Sequence, residues 1–196
     1  MTVVICPGIH DPKITDSFLA GLRAAKTAQV SSPPFGPDHP ELSLGKSPKT
    51  LVFPSQESPA YSAIHILEFL RRHCSIDSPL LLVCFSAGVA GSMGAALGWQ
   101  QFGGKIRALL ALDGWGVPLY GDFPIHRLSH DQFTDWSSKL LGEGRDSFYA
   151  DPSVEHLALW RSPQNTQGWW LDKHHKQKTT AALFINLLLE RYGESV

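Results

Sequence analysis

Cysteine is scarce and unpatterned in this chain. The three residues Cys6, Cys74 and Cys84 form no CxxC pair and no metal-ligand spacing. That excludes a disulfide scaffold and suits a reducing compartment. Charge of one sign is missing too: 17 Lys and Arg stand against 18 Asp and Glu, a net −1. Such a balance offers no basic footprint for nucleic acid or an anionic membrane. The densest basic cluster, Arg71-Arg72-His73, falls at a predicted helix end, where it suits the helix dipole. No apolar run reaches the length of a membrane span, and no basic n-region precedes an h-region at the N-terminus. The expectation is a soluble, cytoplasmic protein whose oligomeric state is open. Over 196 residues, 43% hydrophobic side chains provide a sizeable core for one domain.

Short apolar runs alternate with amphipathic segments. Val3–Cys6, Leu51–Phe53, Leu80–Phe85 and Ile106–Leu112 have the length and bounds of buried parallel strands. Between them, Phe18, Leu19, Leu22 and Ala25 follow a possible Thr15 cap, and Ala63, Leu67 and Leu70 follow Ser58-Pro59. A small-residue helix from Ala87 ends near Gly103-Gly104. This order predicts a three-layer α/β/α fold with a shortened, mainly parallel, doubly wound sheet. The five prolines of Ser31–Lys49 mark a long loop at the sheet end away from the strands' carboxyl termini.

The segment Cys84-Phe85-Ser86-Ala87-Gly88 joins a buried strand to a helix through a turn that needs small residues on both sides. A serine there projects Oγ above the sheet, with the Ala87 N–H at a helix start. The pattern G-x-S-x-G carries Cys84 at its first glycine, and a plain helix N-cap is the competing reading of Ser86. Ligands of open parallel sheets bind beyond the strands' carboxyl ends. Pro7–Ile14, Pro54–Ser58, Ser86–Gly88 and Asp113–Arg127 emerge there, and they hold the chemically capable side chains.

Beyond Asp113, residues 114–146 read as a small lid-like excursion. In it, Ser129-His130-Asp131-Gln132 makes a capping box for a helix with Phe133, Trp136 and Leu140 on one face. A short strand, Ser147–Ala150, follows. A terminal helix carrying Leu183, Phe184, Leu187 and Leu188 covers the sheet.

Together these features resemble the α/β-hydrolase superfamily, in a shortened form of the small serine esterase or lipase type. The likeness spans nearly the whole chain as architecture and short stretches as motif. Val3-Val4-Ile5-Cys6-Pro7-Gly8-Ile9-His10 resembles the family's first strand and oxyanion loop, with Pro7 where His commonly precedes Gly. The resemblance implies an oxyanion hole from the backbone N–H groups of Ile9 and Ala87 and a triad in the order Ser, acid, His. Asp113 fits the acid, with an Asx-turn before Gly114 as its structural alternative and Asp151 as the alternative acid. His156, which follows Ser147–Ala150 as the last expected strand and precedes Leu157–Pro163 with a helix opened at Pro163, fits the base; His130 and His126 are the alternative bases. His10-Asp11 lie near the mouth, His174-His175 in a basic surface stretch, and Trp160, Trp169 and Trp170 either line a pocket or pack a loop.

The implied activity is hydrolysis of an acyl ester or thioester of a small-molecule substrate through an acyl-enzyme. Ser86 attacks, His156 carries the proton and Asp113 orients the imidazole. No cofactor and no metal are implied. Two other classes stay open. One is a catalytically degenerate hydrolase fold that binds a ligand or partner, suggested by Cys84 and Pro7. The other is a flavodoxin-like nucleotide module, disfavoured because Pro-Gly-Ile-His follows the first strand in place of a phosphate loop.

Overall fold

The computed structural model describes residues 2–31, 49–173 and 175–193. The interior of the proline-rich loop and His174 lie outside the described residues. In chain order the elements are β1 (Thr2–Cys6), α1 (Pro12–Ser31), β2 (Lys49–Val52), α2 (Ala63–His73), β3 (Leu80–Phe85), α3 (Ala87–Gln101) and β4 (Ile106–Leu112). They continue as β5 (Ile125–Ser129), α4 (Gln132–Lys139), β6 (Ser147–Ala150), α5 (His156–Arg161), β7 (Gln167–Leu171), β8 (Lys176–Thr180) and α6 (Ala181–Arg191).

The eight strands make one sheet in the order β2-β1-β3-β4-β5-β6-β7-β8. Neighbours from β2 to β6 are parallel, and the β6–β7 and β7–β8 pairs are antiparallel. Period-two alternation splits the strand side chains between two cores. Val3, Ile5, Leu81, Val83, Phe85, Leu110 and Leu112 pack with Phe18, Leu22, Trp160 and Phe184 under α1, α5 and α6. Val4, Cys6, Leu82, Cys84, Leu109 and Ala111 pack with Ile66, Leu70, Met93 and Trp99 under α2 and α3. The result is a three-layer α/β arrangement. No described helix is long and apolar enough to cross a membrane.

The sheet is not shortened. β5, β7 and β8 are added to the strands expected from the sequence, and Ser147–Ala150 is not the last strand. β8 reads Lys-Gln-Lys-Thr-Thr, a polar edge strand that carries no apolar signal. β5 hides its burial behind His126 and Arg127, which are both enclosed. β5 lies between β4 and β6, so part of the stretch 114–146 belongs to the sheet. Only its loop and α4 stand outside the sheet.

Helix starts also differ from expectation. The Lys13 N–H donates to Asp11 Oδ1 at 2.9 Å, so Asp11 caps α1 with Pro12 in its first turn. Thr15 lies inside that helix and accepts from Trp160 Nε1 at 3.2 Å. α2 begins after Ser62 rather than at Ser58-Pro59. Asp131, not Ser129, caps α4, accepting from the Thr134 N–H at 2.6 Å.

His126 is enclosed in the layer beneath α6, with Nε2 2.8 Å from Tyr192 Oη and Nδ1 3.5 Å from Asp146. Burial pushes its pKa down to about 4, against the pull of Asp146. The unfolded chain therefore takes up a proton near pH 6.5 that the folded chain refuses until about pH 4. Stability should fall by about 2–3 kcal/mol between pH 7 and 4.5 on this account. Urea unfolding of His126→Gln, which can keep a bond to Tyr192, should show that part of the acid loss removed. An unchanged acid loss would contradict it.

Candidate active site

Parallel pairing sends the ends of β1, β3, β4, β5 and β6 to one edge of the sheet. The strand order reverses between β2-β1 and β3-β4, so the loops after β1 and β3 part there and leave a crevice. Ser86 stands at that crevice on a sharp turn with φ 52° and ψ −123°. A serine rarely adopts this backbone, and such conformations persist only where the surroundings hold them. Its N–H donates to the Leu112 carbonyl at 2.9 Å, and its carbonyl accepts from the Val89 N–H at 3.0 Å. The Ser86 side chain makes no capping bond to α3, which removes the plain N-cap reading.

Close packing explains the small residues around it. A Cβ on Gly88 would lie 2.3 Å from the Cys6 carbonyl oxygen and 2.5 Å from that of Pro7. A Cβ on Gly8 would lie 2.9 Å from Ser86 Cβ, so the Pro7-Gly8-Ile9 turn sits directly against the serine. Cys84 needs no such room. It pairs in register with Cys6 and belongs to the core beneath α2 and α3. Burial pushes its thiol well above the ordinary range, as suits an inert packing cysteine.

Asp113 directly follows β4 with φ 50°, and its N–H donates to the Leu128 carbonyl at 2.8 Å. The carboxylate does not make the Asx-turn. Oδ1 accepts from the His130 N–H at 2.9 Å, and Oδ2 lies 3.0 Å from His130 Nδ1 and 2.9 Å from His156 Nδ1. An ionised carboxylate only accepts, so both imidazoles carry a proton on Nδ1. For His156 this leaves Nε2 as the free basic nitrogen.

His156 is the first residue of α5, after Glu155, and is not followed by a helix opened at Pro163. Its ring stacks on Phe85 at 4.7 Å and 23°, Phe85 stacks on Trp160 at 5.0 Å, and Trp160 stacks on Phe18 at 3.7 Å. The base candidate thus leans on an aromatic column rooted in the core. His130 follows β5 and precedes α4, with Nε2 3.4 Å from Asp131. The Asp113 hydrogen bond raises its pKa; burial opposes this, and the charges of Asp113, Asp131 and Glu155 add to it.

The remaining candidates stand elsewhere. His126 is held beneath α6, as described above. Asp151 accepts from Trp169 Nε1 at 2.7 Å and forms no ion pair with a candidate histidine. Trp160 is core, while Trp169 and Trp170 stand on β7. His10 packs on Phe85 and Trp160 near the mouth, and its carbonyl accepts from Gln56.

A cavity of about 460 Å³ opens over the serine, lined among others by Ser86, Asp113, His130 and His156, with Trp115, Phe133 and Thr134 across from them. The apolar stripe of α4 does not mark its buried face. Thr134, Asp135 and Ser138 face inward, while Phe133, Trp136 and Leu140 are 66%, 61% and 74% exposed. Asp135 pairs with Lys139 at 2.7 Å. Asp113, His130 and His156 also present three metal-ligand atoms within 4.8 Å of one another among the described residues.

The crowding at Gly88 yields a direct check. Gly88→Ala must displace two backbone carbonyls and should cost about 2–3 kcal/mol in urea unfolding. A loss below about half a kcal/mol would contradict the packing at the elbow. No protein-family model matches this chain and no curated protein matches it, so the reading of the site rests on its own geometry.

Proposed function

We propose that the protein is a serine hydrolase of the α/β-hydrolase type that cleaves an acyl ester or thioester. The strand order β2-β1-β3-β4-β5 is shared with flavodoxin-like nucleotide modules, so fold alone does not choose. The observation that carries the reading is the site. A serine in strained backbone with an uncapping side chain shares one cleft with an imidazole whose Nδ1 is held by a buried carboxylate.

In this mechanism His156 Nε2 takes the proton from Ser86 Oγ as the oxygen attacks the acyl carbon. Asp113 keeps the Nδ1–H tautomer and stabilises the imidazolium that results. The Ala87 N–H, at the start of α3 where no intrahelical acceptor exists, and the Ile9 N–H of the adjoining turn receive the developing oxyanion. Collapse returns the proton to the leaving alcohol or thiol. Water, activated by the same imidazole, then releases the acid. The apolar wall of Trp115, Val117 and Phe133 supports an uncharged acyl portion.

Steady-state hydrolysis of a short-chain p-nitrophenyl ester tests this. Ser86→Ala and His156→Ala should each lower kcat by at least about three orders of magnitude. Ser86→Ala should keep a thermal midpoint near that of the parent protein, and His156→Ala should stay folded with a lowered one. Turnover that survives either change, or no turnover of esters and thioesters by the parent protein, would contradict the proposal.

A further inference from the structure

We infer that Asp113, His130 and His156 form an inhibitory site for a zinc-type divalent cation, which silences the serine by capturing His156 Nδ1. This deepens the hydrolase reading and rests on it. Two imidazole Nδ1 atoms converge on one carboxylate oxygen at 2.9 and 3.0 Å, from elements far apart in sequence. All three ligand atoms fall within 4.8 Å of one another. The rings stand nearly perpendicular, at 84°. A tetrahedral zinc ion with nitrogen and oxygen ligands near 2.0–2.1 Å sets them about 3.3 Å apart. The two nitrogen–oxygen separations would therefore open by a few tenths of an ångström, and the third separation, within 4.8 Å, would close toward the same value as the two partly exposed rings turn onto the ion. The Asp113 side chain is 1% exposed, and those of His130 and His156 are 26% and 43% exposed, so the ion can enter from the cleft and keep a water as fourth ligand.

The chemistry of capture explains the inhibition. A metal on Nδ1 replaces the proton there, and a neutral imidazole then carries its proton on Nε2. For His156 that is the atom that must accept the Ser86 proton. The serine keeps its place while its base is occupied. Substrate binding in front of Trp115 and Phe133 need not change, so zinc should lower kcat more than it raises KM. Hard cations such as magnesium, which prefer oxygen ligands, should not substitute.

The test uses the full chain with zinc chloride and a p-nitrophenyl ester, each protein being compared with its own zinc-free rate. Zinc should reduce kcat with KM nearly constant, and chelation should restore it. His130→Gln should raise the half-inhibiting zinc concentration at least about tenfold. A purely competitive effect, or equal sensitivity in His130→Gln, would overturn the inference. Binding is measured separately with cobalt(II), a coloured zinc surrogate, on Ser86→Ala. One equivalent should bind, and the His130→Gln change added to it should weaken binding at least about tenfold. Absent or unaffected binding would overturn the site even if ester turnover is found. Metal binding without ester turnover in the parent protein would keep the site and reject the hydrolase reading. Should His130→Gln fold poorly, zinc titration of the parent protein followed by histidine NMR decides. The His130 and His156 rings should shift together, and a shift confined to other histidines would overturn the inference.

Discussion

The buried carboxylate of Asp113 is the interaction on which the site depends. At 1% side-chain exposure an unpartnered carboxylate would be costly, and here it accepts one backbone and two imidazole N–H groups. Those three bonds tie the end of β4 to the end of β5 and the start of α5. They gather two histidines 43 and 17 residues away on one acid. They also select the imidazole tautomer, which leaves His156 Nε2 basic. The carboxylate's contribution is thus both structural and electronic.

Strain at Ser86 is supported from two sides. Gly8 leaves no room for a side chain against the Ser86 Cβ, and the Ser86 N–H is tied to the end of β4. α3 approaches β1 closely because Gly88 has no side chain. The aromatic column from Phe18 through Trp160 and Phe85 then supports His156 from below. Ser86 and His156 therefore rest on elements fixed by the core, which favours preorganisation over adjustment on binding.

Much of this was legible because buried parallel strands are written as uninterrupted apolar runs. β1, β3 and β4 announce themselves that way, and the polar residues directly after β3 and β4 include Ser86 and Asp113. β5 was hidden because its buried side chains include His126 and Arg127, which bond to Tyr192 Oη and to the Gly142 carbonyl. β8 was hidden because it is a polar edge. α4 turns Asp135 and Ser138 inward and Trp136 and Leu140 out, so its apolar stripe does not mark its buried face. The choice among histidines was only partly legible. The sequence pattern sets His156 after a final strand, a position it does not occupy, and it meets Asp113 from the start of α5 instead. That His130 shares the same oxygen has no signature along the chain, because such a meeting depends on β4 and β5 lying side by side.

Intact-mass analysis after exposure to a fluorophosphonate tests the central claim most directly, because it reads the nucleophile without assuming a substrate. The account predicts one phosphonate added per chain, located by peptide mapping on Ser86 and absent from chains unfolded before exposure. A folded chain that takes up no phosphonate, or takes it up at a residue other than Ser86, would contradict it.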